Sequence, residues 1–354
     1  MKTLLLLQLF IPLLLASGPF KPNQGHSYNH QWKQSTLSEA QLNFAMMLYP
    51  AIAVPAIGTP PNLFVSPLSL YITFSMLALG AQSPTRDLLL LFLDMTGTMT
   101  EEEIQEGNRK LLQVLNHPNK DMKLKIFSEV LVEKSLKILP EYQEKVAQYY
   151  SASFQSFSFS DPLIDEKTIS RIVSDRTDHK IKDMYIKLYS STLMVLLDYV
   201  VFEGQWESEF SIQNTEMRNF SRYYERPVLV PIMRQRGFYK TYKDTQNKCD
   251  VVEVPYFGNV SLLVIVPLGD PYETELNLTP QMIKGYFSSV KTSLVDLYLP
   301  RVSFNYPVNM TRILARMGLD SILNGTNTNF SGISKEKKLK VSNMGVSRHD
   351  QYLI

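Results

Sequence analysis

The segment Leu68–Ala81 is apolar on every side of the helix that it is expected to form. Ser66 precedes it as a candidate N-cap, and Pro67 stands at the first turn, where proline is well tolerated. The segment contains no charged residue, and a helix without a charged face is buried all round. The fold must therefore place layers of structure on more than one side of this helix.

The length and the order of the predicted elements indicate one large α+β domain. The chain has 354 residues, of which 44% are hydrophobic, and shows no linker and no repeat. Helical patterns come mainly first, at 36–49 after the capping box Thr36-Leu-Ser-Glu39, 101–116 after Thr100-Glu-Glu-Glu103, 140–150 and 165–175. Strand patterns follow at 124–132, 192–202, 251–256, 261–266, 293–299 and 302–306, with a late helix at 309–319. Such segregation favours α+β over alternating βαβ units.

The N-terminus has the pattern of a secretory signal. Lys2 supplies a positive charge, residues 3–15 are mostly apolar, and Ala16-Ser17-Gly18 offers small residues for cleavage. The apolar run is short for a membrane span, and no later segment is apolar enough to cross a membrane. We therefore predict a signal peptide at 1–18, a flexible tail at 19–35, and a secreted protein without a membrane anchor.

An extracellular setting bears on the cysteine and on the glycosylation sequons. Cys249 is the single cysteine, so no intrachain disulfide can form, and its free thiol is expected to be buried or to form an intermolecular adduct. Asn-x-Ser/Thr sequons are candidate glycan sites, although Leu-Thr-Pro280 after Asn277 weakens that one. The sequons begin at Asn219, Asn259, Asn277, Asn309, Asn324 and Asn329.

Several classes of function lack support in the sequence. No nucleophile elbow, zinc-protease, dinucleotide or P-loop motif is present, and the five histidines are scattered, so no catalytic residue, metal or cofactor is predicted. The balance of 36 basic and 34 acidic residues gives no sign of a nucleic-acid partner. Heparin binding is not expected, because the helix after Thr100 opens with three glutamates rather than with a basic stripe.

Motifs spread along nearly the whole chain resemble those of one protein family, the serpins. They are Asn62-Leu-Phe-Val-Ser-Pro-Leu-Ser69 with Gly80-Ala81 and Thr85, Asp198-Tyr-Val-Val-Phe-Glu-Gly-Gln-Trp206, Val230-Pro-Ile-Met233, Leu299-Pro-Arg-Val-Ser303, Phe330-Ser-Gly-Ile333 and Leu339-Lys-Val-Ser342. They are most similar to the secreted α1-antitrypsin-like clade. The resemblance implies three β-sheets, about nine helices, and a reactive loop that inserts into the central sheet after a serine protease cuts it.

The same resemblance assigns roles to four residues. Ser66, Ser69 and Asp198 would belong to the shutter, where the central sheet opens, and Trp206 to the breach, where insertion begins. Local chemistry offers simpler roles: Ser66 as a helix cap, Ser69 bonded within its own helix, and Trp206 as a core aromatic. Asp198 stands where the family usually has Asn, and a buried carboxylate is costly unless it is paired.

The last residues depart from the family pattern. Asn343–Ile354 resembles neither the glutamate-containing hinge, nor the alanine-rich stretch and reactive loop, nor the core strands that follow Leu-Lys-Val-Ser in serpins. We therefore expect an incomplete serpin domain at 36–342, an off-pattern tail at 343–354, and no reactive bond. Serine proteases are then partners of the family only. Unpaired strand edges leave open whether the chain is a monomer or an aggregate, and whether it is secreted or retained in the endoplasmic reticulum.

Two further functions remain open beside that of a non-inhibitory relative of protease inhibitors. A carrier would hold a small hydrophobic ligand in the pocket that relatives form beside sheet B, one of the family's three β-sheets. An acceptor would bind the reactive loop of another serpin as an added strand. A ligand pocket would distinguish the carrier, and an open strand edge would distinguish the acceptor.

Overall fold

The computed structural model of the chain describes residues 5–7, 28–53, 65–97, 99–117, 120, 122–181, 186, 188–221, 226–258, 260–301, 310–323, 325, 328–335, 339 and 341. Within these ranges, none of the helices combines the length and the apolar character that crossing a membrane requires. The expected strand at 302–306 and the expected tail at 343–354 lie outside the described residues, as do most of the signal peptide and residues 19–27.

Six of the ten α-helices among the described residues lie in the first half of the chain. The helices are α1 Tyr28–Ala53, α2 Pro67–Gly80, α3 Thr85–Phe92, α4 Glu101–Leu115, α5 Pro140–Tyr150, α6 Pro162–Arg176, α7 Pro271–Asn277, α8 Pro280–Ser288, α9 Met310–Leu314 and α10 Asp320–Leu323. A π-helical stretch, Ala315–Leu319, joins the last two and contains Gly318 at φ 96°. The capping box predicted at Thr100 is present, with reciprocal bonds between Thr100 and Glu103.

Strands form two hydrogen-bonded sheets among the described residues. The strands are β1 Leu5–Leu7, β2 Met122–Glu133, β3 Ser153–Phe157, β4 Met194–Gly204, β5 Thr215–Phe220, β6 Val228–Asp244, β7 Cys249–Tyr256, β8 Val260–Pro267 and β9 Lys291–Pro300. The smaller sheet has the order β3-β2-β4, and the larger has the order β1-β8-β7-β6-β5 with β9 also paired to β6. Among the described residues, β6 is continuous and joins β5 and β9 to β7, so these strands count as one hydrogen-bonded sheet.

Helix α2 is buried on all sides, as its sequence predicts. Twelve of its fourteen residues are buried, and its side chains belong to one core cluster with α1, α3, α4 and α5 and with the smaller sheet. Alternation along β2 and β4 gives that sheet two apolar faces. Ile126 and Val130 belong to the α2 cluster, whereas Leu131 and Leu197 belong to a second cluster that includes Ile169 of α6. The smaller sheet is therefore a middle layer between α2 and α6.

The larger sheet is also covered on both faces by apolar side chains. One face, with Val251 and Leu263, packs against α1 and α8 through residues such as Met46 and Ile283. The opposite face, with Val252 and Val264, holds Trp206. The α+β class predicted from the sequence is confirmed.

The predicted start of α1 at Thr36 is wrong. The helix begins at Tyr28, so residues 28–35, which we assigned to a flexible tail, are helical. They contain neither Pro nor Gly, so nothing in their composition stops the helix from extending beyond the capping-box residues. The predicted stop at Pro50 is also wrong, because the helix continues to Ala53. One proline near the end removes one backbone hydrogen bond, and the buried Leu48 and Ala53 keep that turn against the core.

Gly80 at the end of α2 provides a test of this close packing. A Cβ atom there would lie 2.2 Å from Ile333 Cγ1 and 2.7 Å from Tyr142 Cε2, and both neighbours are buried. Gly80→Ala is therefore expected to destabilise the protein by about 1–3 kcal/mol through overpacking. Thermal or urea unfolding of the purified variant measures the change.

Gly285→Ala is the matched control for that variant. Gly285 lies inside α8, and a Cβ atom there would meet nothing within 4 Å. Alanine should stabilise the helix by roughly 0.5–1 kcal/mol, because glycine loses more backbone entropy on folding. Equal effects of the two substitutions would contradict the close approach of Ile333 to Gly80.

Candidate functional site

A buried carboxylate joins α2 to the smaller sheet. Asp198 lies on β4 directly opposite Ser128 on β2, and Ser128 Oγ donates a hydrogen bond to Asp198 Oδ1. Thr73 Oγ1 on α2 donates to the other oxygen, Oδ2. Asp198 and Ser128 share the sheet face that packs on α2, because Ile126 and Val130 on either side of Ser128 belong to the α2 cluster. One side chain thus contacts three elements.

Ser66 and Ser69 extend this group of hydroxyls along α2. The Ser66 hydroxyl caps the helix by accepting a hydrogen bond from Ser69 N at 3.3 Å, and Ser69 Oγ lies 3.0 Å from Ser66 Oγ. Thr73 Oγ1 also lies 3.1 Å from the Ser69 carbonyl oxygen. We call Ser66, Ser69, Thr73, Ser128 and Asp198 the Asp198 cluster. The local roles expected for Ser66 and Ser69 are confirmed, and their role at a shutter stays a prediction.

Burial without a counter-ion determines the electrostatics of the cluster. Burial raises the pKa of Asp198 to about 7, although the hydrogen bonds from Ser128 and Thr73 lower it in part. No positively charged side chain among the described residues forms an ion pair with this carboxylate. The pKa of the buried Tyr142 hydroxyl is raised as well, first by burial and then by the charge of Asp198. Near neutral pH the core therefore contains a carboxyl that is part ionised and held only by hydroxyl donors.

Thr73 and Ser128 were missed by the sequence reasoning. Thr73 follows Ser66 and Ser69 at a spacing of i, i+3, i+7, which places the three hydroxyls on one side of a helix. Ser128 interrupts the alternating apolar positions of β2 between Ile126 and Val130. Both signals are readable in the sequence, but only the pairing of β2 with β4 brings them to the same carboxylate.

Trp206 lies away from this cluster, on the larger sheet. It is 3% exposed and stacks on Tyr256 with ring centroids 4.1 Å apart and planes at 15°. Phe210 and Phe202 complete the aromatic group, packing edge-on against Trp206 and Tyr256 respectively. Trp206 also forms an isolated bridge with Tyr256, which ties the end of the smaller sheet to the larger one. The core-aromatic role is confirmed, and a role at a breach stays a prediction.

The remaining candidate residues are separate from the Asp198 cluster. Cys249 is fully buried beside the Tyr286 hydroxyl, at 3.5 Å, and burial raises the pKa of its thiol. Asn219 on β5 and Asn277 at the end of α7 are exposed, whereas Asn329 is half-buried and accepts a hydrogen bond from Ser331 N. The sequons at Asn259, Asn309 and Asn324 lie outside the described residues. Among the described residues, no group of histidine, cysteine and acidic side chains could hold a metal ion.

Asp198→Asn is expected to stabilise the protein more at pH 8 than at pH 5. The folded-state pKa of about 7 exceeds the unfolded value near 3.9, so the folded state binds the proton more tightly. The free energy of unfolding therefore falls as pH rises between these values. An amide does not titrate, so the free energy of unfolding of the variant should not fall in this way. The variant should exceed the unsubstituted protein in this free energy by on the order of 4 kcal/mol at most. Thermal unfolding at the two pH values measures the difference.

Asp244→Asn is the matched control, with the opposite sign. Asp244 is also buried, but hydrogen bonds from Asn247 and Tyr286 lower its pKa below the usual value even though burial alone would raise it. The stabilisation from this carboxylate is present above its unfolded pKa and is lost as pH falls, so the variant should be less stable at pH 8. A gain from Asp198→Asn that is the same at pH 5 and pH 8 would contradict the raised pKa.

Named proteins are similar in sequence to most of the chain. Serine protease inhibitor A6 from Xenopus laevis is 33% identical over 312 residues, covering 88% of this chain and 71% of that protein. Corticosteroid-binding globulin from Ovis aries is 29% identical over 308 residues, covering 86% of this chain and 71% of that protein.

The fold shows the same relationship. The crystal structure of human thyroxine-binding globulin complexed with thyroxine matches with a TM-score of 0.83 and 26% identity, covering 90% of this chain and 88% of that chain. The family model described as Serpin (serine protease inhibitor) matches residues 39–347. The serpin fold expected from the motifs is confirmed, and the chain belongs to the serpin family.

Proposed function

We propose that this chain is an extracellular, non-enzymatic serpin, related to serine protease inhibitors, that does not inhibit proteases by loop insertion. The observation that carries the proposal is the double attachment of Asp198. Its carboxylate accepts one hydrogen bond from Thr73 on α2 and one from Ser128 on β2.

Loop insertion requires movement at the place where these bonds lie. In the mechanism that the family resemblance implies, the cut loop enters the central sheet as a new strand. We take the smaller sheet, β3-β2-β4, as that sheet, so its strands would have to move over α2. Movement of β4 relative to α2 or β2 would take a hydroxyl donor away from a buried carboxylate. A hydrogen bond to a charged group contributes about 1.5–3 kcal/mol, and leaving the group unsatisfied costs more. The hydrogen bonds to Asp198 therefore oppose movement of β4 relative to α2 and β2.

The sequence supports the same proposal independently. Residues 343–354, which follow Leu-Lys-Val-Ser, contain neither the glutamate hinge nor the alanine-rich stretch that the resemblance leads us to expect there. The relatives that match the chain include a protein named as an inhibitor and another named as a corticosteroid-binding globulin. Membership of the family is therefore compatible with functions other than inhibition.

A carrier of a small hydrophobic ligand is the second candidate. It is favoured by the likeness to thyroxine-binding globulin complexed with thyroxine. Against it, the face of β7 and β8 that a ligand could approach is covered directly by buried side chains of α1 and α8, among them Met46, Ile283 and Tyr286. A ligand at that face would have to displace packed side chains, so we place the carrier second.

The purified chain is expected to form no SDS-stable adduct with trypsin, chymotrypsin or elastase. The physical reason is that residues 343–354 lack the hinge sequence and that the hydrogen bonds to Asp198 oppose movement of β4 over α2. Incubation of the chain with each protease, followed by denaturing gel electrophoresis, measures the result, and an inhibitory serpin serves as the positive control. An adduct with any of the three proteases would overturn the proposal.

Secretory cells that express the chain with its own residues 1–18 are expected to release it as a glycoprotein. Blots of medium and lysate with and without glycosidase measure this. Asn219→Gln should remove one glycan, because Asn219 is exposed on β5. The matched control, Asn277→Gln, should leave the mass unchanged, because Pro280 follows that sequon. Chain found only in the lysate without glycans would contradict an extracellular function.

A further inference from the structure

The two faces of strand β5 differ in polarity. Within the described part of the chain, β5 is the last strand in the order of the larger sheet. Its side chains alternate between the two faces of the sheet. Glu216 and Arg218 share one face, where they form an ion pair at 2.8 Å. Met217 and Asn219 share the other face, and both are exposed. The charges of β5 therefore all lie on one face.

Apolar side chains are exposed on the uncharged face. Met217 is 61% exposed, and Leu229 of β6 is 64% exposed. The register places Pro231 opposite Met217 and Leu229 opposite Asn219, so all four side chains share this face. We call Met217, Leu229 and Pro231 the Met217 patch. Neighbouring apolar side chains that are exposed near the edge of a sheet favour association with other chains.

Asn219 is placed to carry a cover for this patch. It begins the sequon Asn219-Phe-Ser221. It lies directly opposite Leu229, and the Cβ atoms of such a cross-strand pair are about 4.5–5.5 Å apart. Met217 is two residues away on the same face. An N-linked glycan is bulky and hydrophilic, and one attached here begins at the patch itself.

We propose that an N-linked glycan on Asn219 covers the Met217 patch and hinders association of other chains with this edge of the larger sheet. The inference rests on the extracellular function proposed above, because N-glycosylation belongs to secreted proteins. The glycan stands on the same face as the patch, since the Asn219 side chain does. Its bulk also opposes the approach of another strand to β5.

A second exposed apolar pair shows why the Met217 patch needs such a cover. Phe238 of β6 is 75% exposed, and Leu294 of β9, directly opposite, is 52% exposed. Arg236 and Lys240 flank Phe238 on the same face and are exposed, so charges surround that pair. The segment of β6 that pairs with β5, residues 228–233, contains no charged residue. On the face of the Met217 patch, the glycan takes the part that the charges take beside Phe238.

Oxidation of Met217 tests the cover directly. Hydrogen peroxide transfers one oxygen atom to the thioether sulfur of an exposed methionine, which gives the sulfoxide and water. The full chain secreted from cultured cells is compared with its Asn219→Gln variant. Peptide mass spectrometry measures the sulfoxide at Met217 and the sugar on Asn219. Met217 should be oxidised faster in Asn219→Gln, because its side chain loses its cover.

Met47 is the matched control for this measurement. It lies on α1 and is 44% exposed, and its rate of oxidation should be the same in both proteins. Treatment of the folded, secreted chain with a glycosidase gives the same comparison if Asn219→Gln does not fold. Equal oxidation of Met217 with and without the glycan would overturn the proposal. A secreted chain without sugar on Asn219 would also overturn it, but would leave the extracellular function standing.

Sedimentation of the same proteins tests the consequence for association. Asn219→Gln is expected to associate more strongly than the glycosylated chain. Leu229→Lys in the Asn219→Gln background places a charge in the patch and should reverse this change. Phe238→Lys in that background is the matched control, because Phe238 is exposed on the opposite face, and it should not reverse the change. Reversal by both substitutions, or by neither, would show that the glycan covers some other surface.

Discussion

The complete burial of α2 is the constraint on which the rest of the structure depends. A helix with apolar side chains on every face has to be covered by α1, α3, α4 and α5 and by the β3-β2-β4 sheet. Each buried leucine, isoleucine or phenylalanine on it contributes roughly 1.5–3 kcal/mol, so exposing any side of the helix would cost a large part of the stability of a domain. The close approach at Gly80 follows from this, because Ile333 and Tyr142 pack where a side chain would otherwise stand.

The polar groups beside α2 are arranged around the same constraint. A hydroxyl or amide buried in this layer is costly unless it has a hydrogen-bond partner, because solvent does not reach it. Thr73 donates a hydrogen bond to the Asp198 carboxylate, and Tyr142 donates one to the Met76 carbonyl oxygen. At Asp198, burial and hydrogen bonding act on the pKa in opposite directions. Burial favours the neutral carboxyl, the hydroxyl donors favour the carboxylate, and the resulting pKa is about 7.

Capping residues in the sequence predicted those helix starts that depend on residues close together in the chain. The Ser66 cap and the Thr100 capping box mark the starts of α2 and α4, because both depend on hydrogen bonds within one turn. The start of α1 was predicted wrongly, since the same kind of signal at Thr36 lies inside a longer helix. Short elements such as β3 and α7 were missed, because so few residues do not establish a period. The family motifs predicted the serpin fold as a whole.

The sequence by itself determined that α2 is buried, that the class is α+β, and that Ser66, Ser69 and Asp198 are worth examining together. It could do so because hydrophobic periodicity, caps and motif order are properties of neighbours along the chain. Only the tertiary structure decided which groups share a site. Thr73 and Ser128 reach Asp198 because β2 pairs with β4 in one particular register above α2. A shift of that register by one residue would turn Ser128 to the opposite face of the sheet, towards α6, and leave the carboxylate with one donor fewer. Register and packing depend on contacts between residues far apart in the chain, and these contacts set the pKa of Asp198.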